Sequence, residues 1–500
     1  MRKHIAFASL CIGLFIAQLD IQIVSASLND IGGGLSAGKD EMAWIQTSYL
    51  IAEIVVIPLS GWLSRVFSTR WLFTASAAGF TLMSLGCALA WDIHSMIVFR
   101  ALQGAAGACM IPLVFISAFI FYQGRELGLA AVVVSALASL SPTLGPTFGG
   151  WLTDALNWRW LFYINLLPGA YLVLAIPLLV DIDKPELALL KNADYLSIIL
   201  LAIGLGCLEY TLEEGARWGW LDDGVILTTA IISAAGLALF TLRTLTCRYP
   251  IMDLTAFRDR NFTLGCFFSF AGGVGIFSTV YLTPVFLGQV RGFSAVDIGF
   301  AVCSTGLFQI LSVPLYTWAS RRVALRWLLM AGLGGFALSM LLFTPLTHEW
   351  GSRELLLPQA LRGVSQQFAM APIVTLTLGG LAKEKLKLAS GVFNLTRNLG
   401  GAIGIALCGT VLNDRTNLHY LRLGEHITAG HGAAMQYLSD MAGYMAATGY
   451  DGSGAALAGR KLLAELLMRE SRTMAFSDAF MLLAALLGLA CALVPLMRRQ

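Results

Sequence analysis

Asp20, Glu53, Glu209, Arg100, Arg362 and Arg397 fall well inside long apolar runs of the sequence. A charged side chain held in lipid costs several kcal/mol, so such residues face protein or water and tend to mark ion or proton paths. Asp20 is the lone carboxylate of LCIGLFIAQLDIQIVSAS, and two readings attach to it: an interhelical hydrogen-bond anchor, or a proton or cation site. The six histidines lie outside the apolar runs or at their edges, so a proton relay here would use carboxylates. At about 1.5 Å rise per residue, Asp20 sits roughly 10 Å from the far end of its run and Arg100 roughly 8 Å from the same face. The shared level permits an ion pair; the alternative for Arg100 is a clamp on backbone carbonyls. Glu53 and Arg397 both fall near mid-membrane, where a shared buried pair is expected. Glu209 either joins the site or, with Glu213 and Glu214, begins an external loop.

The elements that carry these groups follow from composition. The 500 residues are 57% hydrophobic and 13% charged, which fits a polytopic membrane protein and excludes a soluble globule. A spanning helix needs about twenty mostly apolar residues. Such runs occur near 5–27, 43–63, 71–90, 95–121, 127–150, 159–180, 195–213 and 224–246. Others lie near 261–287, 297–318, 327–346, 355–379, 387–411 and 475–497, about fourteen together. The start MRKHIAFASLCIGLFIA looks like a signal peptide, but its apolar part is too long and no clear cleavage site follows, so it reads as the first span. Lys and Arg concentrate on one side, at Arg2, Lys3, Arg65 and Arg70, then Arg243 and Arg248, Arg321 and Arg322, Lys383 to Lys387, Arg498 and Arg499. The positive-inside rule then puts both termini in the cytoplasm. The nine cysteines lie in or beside apolar runs and suggest neither disulfides nor a metal cluster. With a net charge of +3 and dispersed basic residues, no nucleic-acid partner is indicated; no ATP-binding loop or nucleophile beside a histidine points to an enzyme.

FRALQGAAGACMIPL, from Phe99, is echoed by PQALRGVSQQFAMAPIV, from Pro358, at the fourth span of the first six and of the last six. Duplicated halves are common in transporters. The chain therefore parses as six plus two plus six: 1–190, an inserted pair at 191–255, and 256–500. The last part includes a polar segment, 412–474, expected outside. There AAMQYLSDMAGYM and GRKLLAELLMRES are spaced for short helices, in a loop that is either solvated or a docking surface. LSPTLGPTFGGWL packs Pro142, Gly145, Pro146, Gly149 and Gly150 into the fifth span, allowing close helix approach and kinking.

GPTFGGWLTDALNWRWLFYIN resembles the fifth-helix antiporter motif of the major facilitator superfamily, and FRALQG its fourth-helix arginine motif. QLDIQIVSASLNDIG resembles the first-helix motif of the fourteen-helix drug/proton antiporter branch, with Asp20 as the motif's aspartate. PIMDLTAFRDRNFTLGC, FNLTRNLGGAIG and the long loop before the last span are similar to EmrB-like multidrug exporters. The resemblance implies an all-α integral membrane protein of the major facilitator fold in a bacterial inner membrane, exporting lipophilic small molecules by alternating access. The proton gradient drives it and no cofactor is expected. It also implies an EmrA-like periplasmic adaptor and an outer-membrane channel as partners. Asp20 would be the leading proton carrier, tuned by Arg100, with Glu53 and Glu209 in support; an aqueous route to Asp20 is required. Gln18, Gln103, Arg362, Gln366, Asn394 and Arg397 are expected to line the substrate cavity. Two departures stand out: GWLSRVFSTRWL lacks the aspartate of the superfamily's gating motif, and Arg362 stands where an uncharged polar residue is usual, either altering substrate preference or mirroring Arg100. Two other readings stay open: a dedicated exporter of a siderophore, fatty acid or metabolite, and a non-transporting receptor or scaffold.

Overall fold

A computed structural model describes residues 2–25, 27–247, 250–252, 254–381, 383–427, 432–447 and 451–497. Arg248, Arg498 and Arg499, used above for orientation, and parts of the 412–474 segment lie outside the described residues.

Apolar runs without neighbouring water must pair their backbone groups internally, and the described chain does so as helices. The first half comprises α1 (Arg2–Ser25), α2 (Leu28–Gly34), α3 (Lys39–Val56), α4 (Ser60–Ala88), α5 (Ile93–Ala108), α6 (Met110–Phe121), α7 (Gly124–Ala155), α8 (Trp160–Tyr163) and α9 (Leu166–Leu179). The inserted pair is α10 (Tyr195–Trp218) and α11 (Gly224–Thr246). The second half comprises α12 (Arg260–Gln289), α13 (Ala295–Ala319), α14 (Leu325–Leu342), α15 (Leu356–Leu378), α16 (Lys383–Glu425), α17 (Gly432–Ala447) and α18 (Gly452–Leu493). Polar side chains concentrate at the ends: Asp92, Asp194, Asp223 and Asp259 each accept from backbone N–H groups at the start of α5, α10, α11 and α12.

Twelve helical stretches among the described residues are long and apolar enough to cross a membrane. One runs for 48 residues, Glu41–Ala88, far beyond a hydrocarbon core of about 30 Å. It takes in two expected spans, and a 3-10 turn at Ile57–Leu59 falls inside the first of them. The stretch expected as a loop at 64–70 is instead helical, broken at Ser68, whose φ of 69° is left-handed. The expected 95–121 span is two helices meeting at Cys109. α15 is not among the twelve; Gln359, Arg362, Gln366 and Gln367 lower its hydropathy.

The 412–474 segment differs most from expectation. α16 and α18 continue as single helices of 43 and 42 residues, and α17 packs against α18. GRKLLAELLMRES is thus part of the last long helix, not a separate short one. Hydropathy falls where lipid ends, but the helical backbone does not. His419 lies 2.9 Å from Asp478, and His348 2.9 Å from Glu470, tying this hairpin to the membrane-level helices.

The halves pack alike. α1 lies on α7 and α9, and α3 on α5; α12 lies on α16 and α18, and α13 on α15. They meet where α7 contacts α13 and α15, and where α16 contacts α4 and α6. α10 touches both halves, through α3 and α16.

Candidate functional site: a sealed charge cluster and an open acidic cavity

Asp20 and Arg100 form the expected ion pair. Arg100 Nη1 donates to Asp20 Oδ2 at 2.6 Å, and both side chains are fully buried. Gln103 and Asn165 donate to Asp20 Oδ1 at 3.1 and 2.6 Å, and both also donate to Ser84. Arg100 Nε donates to the Ile45 carbonyl at 3.2 Å, and its guanidinium stacks 4.2 Å from the Tyr49 ring centroid. Ion pair and carbonyl clamp therefore coexist. Sequence reasoning missed Asn165 and Ser84; the only available signal was an isolated amide within WLFYINLLPG. The cluster faces protein on every side and borders none of the larger cavities. The aqueous route expected for Asp20 is closed in this conformation, and Gln103 belongs to the cluster, not to a substrate cavity.

The open site lies beside it. A space of about 530 Å³, open solvent included, is bounded by Gln18 of α1, Glu53 of α3, Glu209 and Glu213 of α10, Phe277 of α12 and Asn398 of α16. Glu53 and Glu209 are 2% and 3% exposed, and each has a carboxylate oxygen without a hydrogen-bond partner. The cavity shares Gln22, Glu213 and Phe277 with a vestibule of about 1120 Å³ near the ends of α1 and α10. Glu209 and Glu213 lie on the helix proper, which runs to Trp218, so they do not begin a loop. No ion pair among the described residues joins Glu53 to Arg397, against expectation. Arg397 instead lies 5.5 Å from the Phe115 ring centroid and borders a separate small cavity, with Nε and Nη2 unpartnered. The two side chains make no direct contact, yet their charges act on one another across the space between α3 and α16.

Of the other expected cavity residues, only Gln18 borders the main cavity. Asn394 donates to its own helix, at Ser390 O, and Gln366 Oε1 is buried without a partner. Arg362 donates one bond, from Nη2 to Thr305 Oγ1 at 2.9 Å; its Nε and Nη1 have none among the described residues. It does not mirror Arg100. Gly104 abuts the Tyr49 carbonyl so closely that a Cβ would collide, and Gly363 stands in the same relation to Thr305. Matching those glycines sets Gln359 opposite Arg100, and Arg362 opposite Gln103. Gln359 accordingly donates to the Ala301 carbonyl at 3.0 Å, as Arg100 does to Ile45.

Of the motif in α7, Gly145 packs against Gln22 of α1 with no room for a Cβ, and Pro146 borders the vestibule. Pro142, Gly149 and Gly150 are buried in the same helix. Thr147 Oγ1 donates to the Gly299 carbonyl of α13 at 2.8 Å, placing this helix on the seam between halves. At the opposite end of the molecule, Thr69 N donates to both Asp183 oxygens at 3.0 and 3.1 Å, and Asp183 forms an ion pair with Lys387 of α16. Asp183, just beyond α9, thus supplies a carboxylate beside the segment that lacks its own.

A chain of helices in two similarly packed halves, enclosing a polar cavity with buried carboxylates, is the architecture of a membrane transporter. Residues 10–405 match the Major Facilitator Superfamily, and the protein belongs to it. It is accordingly a multi-pass membrane protein and a transporter rather than an enzyme. Its relatives include the colistin resistance protein EmrB of Acinetobacter baumannii, 36% identical over 84% of this chain and 82% of that one. The fatty acid resistance protein FarB of Neisseria gonorrhoeae is 30% identical, over 85% and 84%. The multidrug export protein EmrB of Escherichia coli is 27% identical, over 87% and 85%. Among solved structures, the human organic anion transporter MFSD10 (TETRAN) superposes with a TM-score of 0.56 at 13% identity, over 97% of this chain and 99% of that one. A bacterial homologue of the human lysosomal transporter Spinster, inward-facing and unoccupied, gives 0.54 at 14%, over 99% and 96%. These likenesses bear on fold alone.

Proposed function

We propose that the protein exports lipophilic drugs and toxic compounds across a bacterial inner membrane by alternating access, in exchange for protons. The observation that carries this reading is the cavity between the halves, where Glu53 and Glu209 present unpartnered carboxylate oxygens to a space that continues into a vestibule. The names of the EmrB relatives support drug export. The chain crosses the bilayer fourteen times with both termini cytoplasmic, organised as 1–190, 191–255 and 256–500. Asp183 and Lys387 then hold the cytoplasmic side shut while the cavity faces the periplasm.

In this state Glu53 and Glu209 take up protons from the periplasm. Protonation removes charge from an enclosed site, which favours closing the vestibule; deprotonation toward the cytoplasm resets it. Asp20 stays ion-paired until the inward-facing state loosens Arg100, so it reports on conformation while the cavity carboxylates exchange. The α16–α18 hairpin projects on the periplasmic side, where its exposed Leu421, Tyr444 and Leu457 suit contact with an adaptor leading to an outer-membrane channel. A narrower reading, export of an amphipathic carboxylate such as a fatty acid, draws on Arg397 at its apolar cavity and on the name of the FarB relative. The test is flux into proteoliposomes with an imposed pH gradient, across a panel of neutral and ionic lipophiles. Several chemically unrelated substrates should accumulate only against an acidic lumen. Uptake indifferent to the gradient would overturn the proton-exchange reading, and uptake of carboxylates alone would favour the narrower one.

A further inference from the structure

We propose that the inserted pair supplies a charge-selecting wall: through Glu209 and Glu213, α10 makes the cavity a binding site for lipophilic organic cations. This rests on the transport reading and names a substrate class for it. Glu209 and Glu213 are one helical turn apart on the same face of α10, at the spacing that brings side chains together. Opposite them, Glu53 projects from α3, and no lysine or arginine borders the cavity. Glu53 also feels the charges of Arg397 and Arg100, whereas Glu209 and Glu213 meet only other carboxylates in a poorly solvated space, so the α10 pair gains most when a cation enters.

A second feature points to a ligand. Gln18 is 1% exposed and borders this cavity, yet neither atom of its amide has a hydrogen-bond partner. Buried amides are normally satisfied, so an unsatisfied one at a cavity wall awaits a polar ligand or water. Much of the remaining wall is apolar, with Ile21, Leu50, Ile54 and Ile405, and Phe277 adds an aromatic ring, a group that attracts cations. Among the described residues no group of ligating side chains is arranged to hold a metal ion, so the cation expected is organic: a quaternary ammonium, a phosphonium or a protonated amine with apolar substituents. Because Glu209 and Glu213 lie on the inserted pair, two of the three charges that select the ligand come from outside the two six-helix halves.

The test uses full-length protein in nanodiscs at fixed neutral pH, with tetraphenylphosphonium as the cation and triphenylphosphine oxide as a neutral probe of similar shape. Removing one charge that contacts a desolvated ligand charge should weaken tetraphenylphosphonium binding by about tenfold or more in Glu213→Gln and in Glu209→Gln. The ratio of cation to neutral-probe affinity should fall with it, and Glu213→Asp should restore that ratio. Unchanged cation affinity in both Gln variants, or equal loss of both probes, would overturn the proposal. Failure of the transport reading is separate: it shows as wild-type flux that ignores the pH gradient, whatever the binding ratios.

Discussion

The fourth helix of each half carries a buried arginine, and the two live in opposite circumstances. Arg100 is held by Asp20, Gln103 and the Ile45 carbonyl, and is covered by the Tyr49 ring. Arg362 has one hydroxyl. The backbones around them correspond: Gly13 abuts Phe73 and Leu172, and Gly275 abuts Phe336 and Leu487. Two turns on from Gly13 stands Asp20; two turns on from Gly275 stands Leu282, fully buried. The duplicated scaffold therefore retained its packing while its electrostatics diverged. One half neutralises its buried charge internally, and the other carries a buried cation without an anion. A compensated pair is costly to break, whereas an isolated buried charge is costly to keep.

The largest effect should come from breaking the compensated pair. Asp20→Leu leaves Arg100 buried without an anion, as Arg362 is, at a cost of about 3–5 kcal/mol. A markedly lower unfolding midpoint in detergent is expected, with most of the loss recovered in Asp20→Leu/Arg100→Gln. A single variant as stable as the parent would erase the contrast. The second half should respond in the opposite sense. Arg362→Met removes an uncompensated charge and is expected to leave the midpoint unchanged or raise it, by about 1 kcal/mol or more. Clear destabilisation would mean that Arg362 is neutralised after all. The smallest stability effect belongs to the partly solvated clasp between halves. Asp183→Asn should cost about 1 kcal/mol or less. It should nonetheless raise thiol labelling at engineered cysteines on the ends of α4 and α16 nearest Asp183, and Asp183→Lys/Lys387→Asp should lower it again.

What was legible in the sequence, and what was not, follows the range of the interactions. Asp20, Arg100 and Gln103 stand out because a charge or amide in an apolar run has little reason to be there, and their helices are fixed by hydropathy. Asn165 completes the cluster from a helix junction, where a lone amide is a weak signal because polar residues are common at helix ends. Asp183 meets Lys387 across 204 residues, in a loop whose composition resembles any other. Glu53 and Arg397 act on each other's charge without the direct ion pair expected, because equal depth does not fix the distance between two side chains. Glu213 looked like the start of a loop because it is polar, yet α10 continues past it to Trp218. The lengths of α16 and α18 were hidden for a related reason: hydropathy reports where lipid ends, while backbone hydrogen bonding decides where a helix ends.

The most direct test of the account is proton-driven flux in proteoliposomes reconstituted with Glu53→Gln/Glu209→Gln, beside the parent protein. The account predicts that a neutral lipophilic substrate still exchanges down its own gradient but no longer accumulates when a pH gradient is imposed. Accumulation at the parent's level in that variant would show that protons move through some other group, and would contradict the assignment of the open cavity as the site of exchange.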